Sequence, residues 1–232
     1  MLSQSGLLQR HSFQYHWHNQ NPATSFPYTC FEDYIAQLKS RKRKSMQKER
    51  RSVVEAGIKF ETLEGINISE QHWEVFYQFY QITYAKRSGH GGYLPKAFFK
   101  KIGADIPQNI VMVFAKKNNQ YIAGSLYLKS NDVLYGRYWG CSQQFEFLHF
   151  EACIYQGIEY CIKYGLKKFD AGAQGEHKLH RGFAPVSTWS SHWIQNEQFR
   201  TAISRFVTQE KTHNMAYMGE AIQSLPYKNG LS

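Results

Sequence analysis

No apolar run in this sequence approaches the ~20 residues that a helix needs to cross a bilayer, which excludes a helical transmembrane protein. Cysteine is scarce. The four, Cys30, Cys141, Cys153 and Cys161, form no C-x-x-C pair and are too few to staple a fold. Cys153 and Cys161 fall on one expected helix, about 12 Å apart at 1.5 Å per residue, too far for a disulfide. Buried, reduced thiols and a cytosolic compartment are therefore expected. The opening residues, MLSQSGLLQRHSFQ, lack an apolar core and a small-residue cleavage site, so no signal peptide is expected. Also missing are G-x-S-x-G, Walker A and dinucleotide-binding fingerprints, and any internal repeat. Acidic residues are in deficit: 18 Asp and Glu face 28 Lys and Arg, a net charge of +10.

What is present is a foldable, basic chain. Its 232 residues are 42% hydrophobic and 16% aromatic, more than a disordered segment carries, and the length admits one large domain or two small ones. The charge is concentrated. Residues 39–51, KSRKRKSMQKERR, carry eight Lys or Arg against Glu49 alone, seven of the ten net charges. Phe31, Tyr34, Ile35 and Leu38, extended by Met46 and Val53, recur at helical spacing, so one basic helix is expected over about 30–55. Two readings are open for Arg41, Lys42, Arg43, Lys44 and Lys48. They are a solvated helix end, or a polyanion site for tRNA backbone or an anionic lipid surface.

Elsewhere the pattern predicts a strand over 7–17 and a short strand from Ile58. Ser69 caps an aromatic helix over 70–87 (Trp73, Phe76, Tyr77, Tyr80, Tyr84), and a short helix follows Pro95. Three strands come next, IVMVFAKK, YIAGSLYLKS and VLYGRYWGC. Asn118-Asn119 and Asn131-Asp132 turn them into an antiparallel meander. A helix over 148–165 ends at Gly165. Strands at KKFDAGA and VSTWSSHWI and a helix over 199–212 complete an α+β order around one mixed sheet.

Four segments carry a more specific pattern: QYHWHN (14–19), SRKRKSMQKERR (40–51), LYGRYWGC with FLHFEACIYQGIEYCIKYGL (134–166), and FDAGAQGEHKLHRGFAPVSTWSSHWI (169–194). Together they resemble the bacterial family of peptidoglycan biosynthesis/recognition proteins. That family is similar to the Fem-type aminoacyl or peptidyl transferases of the GNAT-like acyl-CoA N-acyltransferase superfamily. The resemblance spans nearly the whole chain. It implies an α+β fold with a GNAT-like central mixed, mainly antiparallel sheet flanked by helices, matching the second lobe of a two-lobed Fem-type protein. Residues 1–29 then read as the remnant strand and linker of an absent first lobe, and residues 30–232 as the acyltransferase lobe. A strand without its lobe would be a frayed edge or an arm for another chain.

The implied activity is transfer of an acyl or aminoacyl group to an amine, on a muramyl peptide or a lipid-linked precursor. It would take place in the cytoplasm or peripherally at the inner membrane face. The missing lobe or a second copy is an implied partner. The alternative, from a different class, is a non-catalytic binding module for cell-wall precursor or nucleic acid.

Such a transfer needs donors for a tetrahedral oxyanion, a base for the amine and a platform for the carrier. AGAQGEHKLHRGF (171–183) supplies candidates for each. Gly172, Gln174 and Gly175 form a turn that a ligand can approach, Glu176 and His177 are candidate bases, and Lys178 and Arg181 are candidate anion holders. In Fem-type enzymes a Lys-bearing segment near a Gly-Phe pair lies in this region, and Lys178 ahead of Gly182-Phe183 resembles it. Tyr135, Arg137 and Trp139 share one face of a strand and are expected to line the cleft. No permanently bound cofactor is expected, and the donor carrier is left open between aminoacyl-tRNA and acyl-CoA. CoA is disfavoured, because the junction GCSQQFEFLHFE (140–151) has one glycine and places Glu146 where a pyrophosphate would sit. His16 with His18, and His177 with His180, lack a third ligand, so no metal site is expected.

Overall fold

A computed structural model of the protein describes residues 6–172 and 175–228. It opens with β1 (Leu8–His18), followed by α1 (Phe31–Ala36), α2 (Ser40–Glu55) and β2 (Lys59–Glu64). Helices α3 (Glu70–Ser88) and α4 (Lys96–Asp105) precede the meander of β3 (Ile110–Lys117), β4 (Gln120–Lys129) and β5 (Val133–Cys141). After α5 (Leu148–Phe150) the chain makes a π-helical turn (Glu151–Tyr155) and continues as α6 (Gln156–Tyr164). β6 (Lys168–Asp170), a 3-10 turn (Glu176–Arg181), β7 (Ala184–His192) and α7 (Glu197–Gln223) complete the order.

The strands form one sheet in the order β2-β3-β4-β5-β6-β1-β7. Every neighbouring pair is antiparallel except β5 and β6. This is the expected mixed, mainly antiparallel GNAT-like sheet. Helices cover both faces, as the inner strand β3 records. Its Ile110, Met112 and Phe114 join Phe76, Tyr80 and Phe99 of α3 and α4 in one cluster. Val111 and Val113 join Met46, Ile158 and Phe169 in the other. Both sets are buried, so the strand reads as a continuous apolar run without alternation.

Three expectations are corrected here. The strand at residues 7–17 is no frayed edge: β1 lies inside the sheet, pairing with β7 from Leu8 to His16 and with β6 from His16 to His18. Its Tyr15 and Trp17 are buried, with Trp17 packed on Tyr28 and Tyr34. Tyr15, Trp17 and Tyr28 therefore share a core with the rest of the chain. The single basic helix is two helices. Between them Leu38 bridges to Tyr227 and the Lys39 amide donates to the Pro226 carbonyl at 2.7 Å, so the C-terminal tail displaces the helical hydrogen bonds. The last helix is twice as long as expected, running to Gln223 from an Asn196 cap that accepts from the Gln198 and Phe199 amides.

Placing β1 in the sheet interior makes it slow to open. The hydrogen-bonded amides of His11–Trp17 should exchange with solvent at close to the global unfolding rate, as core strands do. Hydrogen exchange read by mass spectrometry checks this, and fast exchange would restore the frayed-edge reading.

Candidate active-site cleft

The cleft exists because two parallel strands separate. β5 and β6 pair only at Val133–Lys168, Leu134–Phe169 and Tyr135–Asp170. Beyond that point β5 continues beside β4, while the chain after Asp170 turns away at Gly172, whose φ is +88°. The gap is a cavity of about 710 Å³. One wall is Gly136–Trp139, the other Ala171, Gly172, Gly175, His177 and Lys178; Cys153 and His149 lie between them, and Thr83, Tyr84, Arg87 and Ser88 at the end of α3 close one side. A bulge in the β4–β5 pairing sets Tyr127 against Gly136 and Leu126 against Tyr138, leaving Arg137 as the extra residue. The bulge breaks the alternation that predicted the lining. Arg137, Tyr138 and Trp139 all reach the cleft, but Tyr135, paired before the split, stacks under the Arg137 guanidinium at 5.0 Å and does not line it.

Lys178 is 4% exposed. Its Nζ donates to the carbonyls of Ala171 (2.8 Å) and Gly172 (2.6 Å), and burial lowers its pKa to about 8, with Asp170 opposing. Asp170, which the sequence reading passed over, anchors the turn by accepting the Gly172 amide at 2.9 Å. It faces Arg137 at 3.7 Å and His16 at 3.8 Å. His177 lines the cleft next to Phe150 and His149. Its Nε2 is buried without a partner among the described residues, and burial lowers its pKa. Gly175 makes room for it: a Cβ there would lie 2.2 Å from the His177 ring. His149, also unforeseen, sits against Trp139. Burial, reinforced by His177 and nearby cations, holds its pKa down at about 4, so it is neutral at physiological pH. The Cys153 thiol is pushed up to about 12 by burial and is protonated. Arg87, Arg137 and Lys178 supply cations, and no Asp or Glu is among the described lining residues.

Two proposed site residues do other work. Arg181 is not free to hold a ligand. It donates to Glu49 (2.6 Å), the Tyr155 hydroxyl (2.8 Å) and the His177 carbonyl (3.0 Å), and its guanidinium lies 3.6 Å over the Phe150 ring. Glu176 is exposed, outside the cleft lining, and accepts from Tyr217. Gln174 lies outside the described residues.

On α2, Arg41, Lys42, Arg43, Lys44 and Lys48 make no ion pair among the described residues, and Arg41, Lys44 and Lys48 share one exposed stripe opposite buried Met46 and Val53. Arg50 of the same run is tied inward to Glu151 (3.0 Å) and Glu159 (2.8 Å). Gly140, the one glycine of the junction weighed for CoA, serves packing: a Cβ there would lie 2.2 Å from the Phe79 backbone. The described residues include no group of three metal-ligating side chains and no helix long and apolar enough to cross a membrane.

A family model described as FemAB-like, peptidoglycan biosynthesis/recognition, matches residues 1–229. No curated relative matches the sequence. Among solved structures, FemX superposes with a TM-score of 0.55 at 12% identity, covering 83% of this chain and 64% of its own. L-PGS from Bacillus licheniformis gives 0.54 at 9% identity, covering 85% and 67%. The C-terminal domain of a putative lysylphosphatidylglycerol synthetase from Agrobacterium fabrum gives 0.50 at 9% identity, covering 77% and 53%. At such identities the likeness is one of fold, and the chain spans between about half and two thirds of each structure's length.

The assignment of Arg181 to structure is open to measurement. Arg181→Met leaves Glu49 buried without its partner and should cost about 3–5 kcal/mol in urea unfolding. The double variant Glu49→Leu with Arg181→Met should recover much of that loss. Wild-type stability in the single variant would free Arg181 for a ligand after all.

Proposed function

The chain belongs to the FemAB-like family of peptidoglycan biosynthesis/recognition proteins, and from that premise we propose that its cleft transfers an acyl or aminoacyl group from an ester carrier to an amine on an anionic cell-wall precursor. The observation that carries this is Lys178, held by two backbone carbonyls in the wall of a cleft whose described lining has no acidic residue. An ammonium with two N–H groups already bonded has one left to donate. From its buried position that donor stabilises the oxyanion of a tetrahedral intermediate more than an exposed lysine would. Neutral His177 and His149 are the bases within the cleft that can take the proton from the attacking amine. Arg87 and Arg137 suit an acceptor that carries phosphate or carboxylate.

Aminoacyl-tRNA is the carrier we favour, with the exposed stripe of α2 as its phosphate-binding surface. Glu146, exposed in the β5–α5 junction, and the packing role of Gly140 argue against acyl-CoA. The cytoplasm, where charged tRNA is made, is the matching compartment.

The test is transfer of a labelled amino acid from charged tRNA to an amine-bearing muramyl peptide, read by mass spectrometry. Lys178→Ala should slow it by about 10²-fold or more. The ammonium is the working form, so the rate should fall as pH rises through about 8, where Lys178 loses its proton. A rate unaffected by the substitution, or one that climbs above pH 8, removes Lys178 from this role.

The carrier has its own test. Arg41→Glu with Lys44→Glu should nearly abolish tRNA binding. The wild-type affinity should drop steeply between ~50 and ~200 mM salt, while the fold is unchanged because exposed charges contribute only ~0–1 kcal/mol. Equal binding by both proteins would leave α2 a solvated helix.

A further inference from the structure

Lys178 is a buried cation without an ion-pair partner among the described residues. Asp170, the acid that bears on it electrostatically, is engaged by the Gly172 amide and flanked by Arg137 and His16. An amine nitrogen bonded to Cε and donating to two carbonyls has one tetrahedral direction left. Lys178 lines the cleft and both accepting carbonyls belong to its own wall, so the free direction is the one open to an occupant of the cleft. Protonated, it presents an N–H there; deprotonated, it presents a lone pair.

We propose that Lys178 is a self-acylation site: when an activated carboxylic ester fills the cleft and no acceptor amine does, Nζ takes the acyl group. The lone pair attacks the ester carbonyl carbon and a C–N bond forms. The ester C–O bond breaks, and the alcohol leaves with the proton that the nitrogen gives up. The product is a stable ε-amide that keeps one N–H and loses the cation, so a cleft modified in this way has lost its oxyanion donor and shuts itself off. The inference rests on the acyl-transfer reading of the cleft, but not on which carrier brings the acyl group.

The competing nucleophiles are less suited. The Cys153 thiol stays protonated, and acyl groups on His149 or His177 would be lost to water. A pKa of about 8 leaves roughly half of Lys178 unprotonated at pH 8, against ~0.3% of an ordinary lysine.

The experiment treats the folded protein with substoichiometric p-nitrophenyl acetate at pH 8, washes with hydroxylamine to strip thioesters and acyl-imidazoles, and maps acetylation by peptide mass spectrometry. Lys178 should be acetylated at least about tenfold faster than any other lysine, with the preference lost in urea-unfolded protein. The rate should level off above about pH 9 while surface lysines continue to accelerate. Labelling of Lys178 no faster than the others, or, in a sample mapped without the hydroxylamine wash, a label on Cys153 that outpaces Lys178, overturns the proposal. The two readings fail separately. An unlabelled Lys178 in a protein whose transfer activity depends on it sinks self-acylation alone. A labelled Lys178 in a protein that transfers nothing to any amine sinks the transferase reading alone.

Discussion

The pairing of Glu49 with Arg181 and Tyr155 is the interaction from which the rest of the site hangs. All three side chains are largely withdrawn from water, and each polar end is answered. Tyr155 donates to Glu49, Arg181 donates to both, and Phe150 covers the guanidinium. Such a cluster is costly to desolvate and costly to break, so it locks geometry more than it adds net stability. Its members come from α2, from the π-helical turn and from the 3-10 turn that carries His177 and Lys178. Arg50 repeats the tie, from α2 to Glu151 in the same π-helical turn. The basic helix and one wall of the cleft are thus parts of a single frame.

The other wall depends on backbone irregularity. Within the π-helical turn the Ala152 carbonyl accepts from Tyr127 and Ser125 of β4. The β5 bulge adds Arg137 between Tyr138, which packs on Tyr80 and Phe99 of the α3–α4 layer, and Gly136, and so brings Arg137 to the space that the departing β6 opens. A regular helix and a regular strand would have presented alternate residues and a closed surface. Irregular elements of this kind recur at functional sites because they re-aim side chains that a regular pattern would bury.

Much of this was legible in the sequence where the cause was local. The spacing of Trp73, Phe76 and Tyr80 announced the buried face of α3. Asn118 and Asn119, both at positive φ, marked the first hairpin, and Gly165 the end of α6. The glycine-rich turn and Lys178 were picked out because residues that free the backbone stood beside residues that carry charge. Misreadings occurred where the cause was distant. The break at Gln37–Lys39 is made by residues 226 and 227, and Arg181 reads as a free cation in the sequence because its partner Glu49 is the single acid in a basic run. His149 gave no signal: a solitary histidine acquires meaning only when the fold puts it opposite another. Arg87 is the same case, one charge among several at the end of a helix.

The position of β1 also bears on how the molecule comes into being. In sequence, β1 lies some 170 residues ahead of its long partner, β7, since Leu8 pairs with His192 and His16 with Ala184. Until the two meet, Tyr15 and Trp17 have no finished core to enter. Contacts so far apart in sequence are the slow ones to form, because loop closure must be achieved before it is rewarded. The meander and the α3–α4 layer, built from near neighbours, can assemble meanwhile. Docking β1 between β6 and β7 therefore joins the strands of the sheet most distant in sequence, next to the turn that carries Lys178.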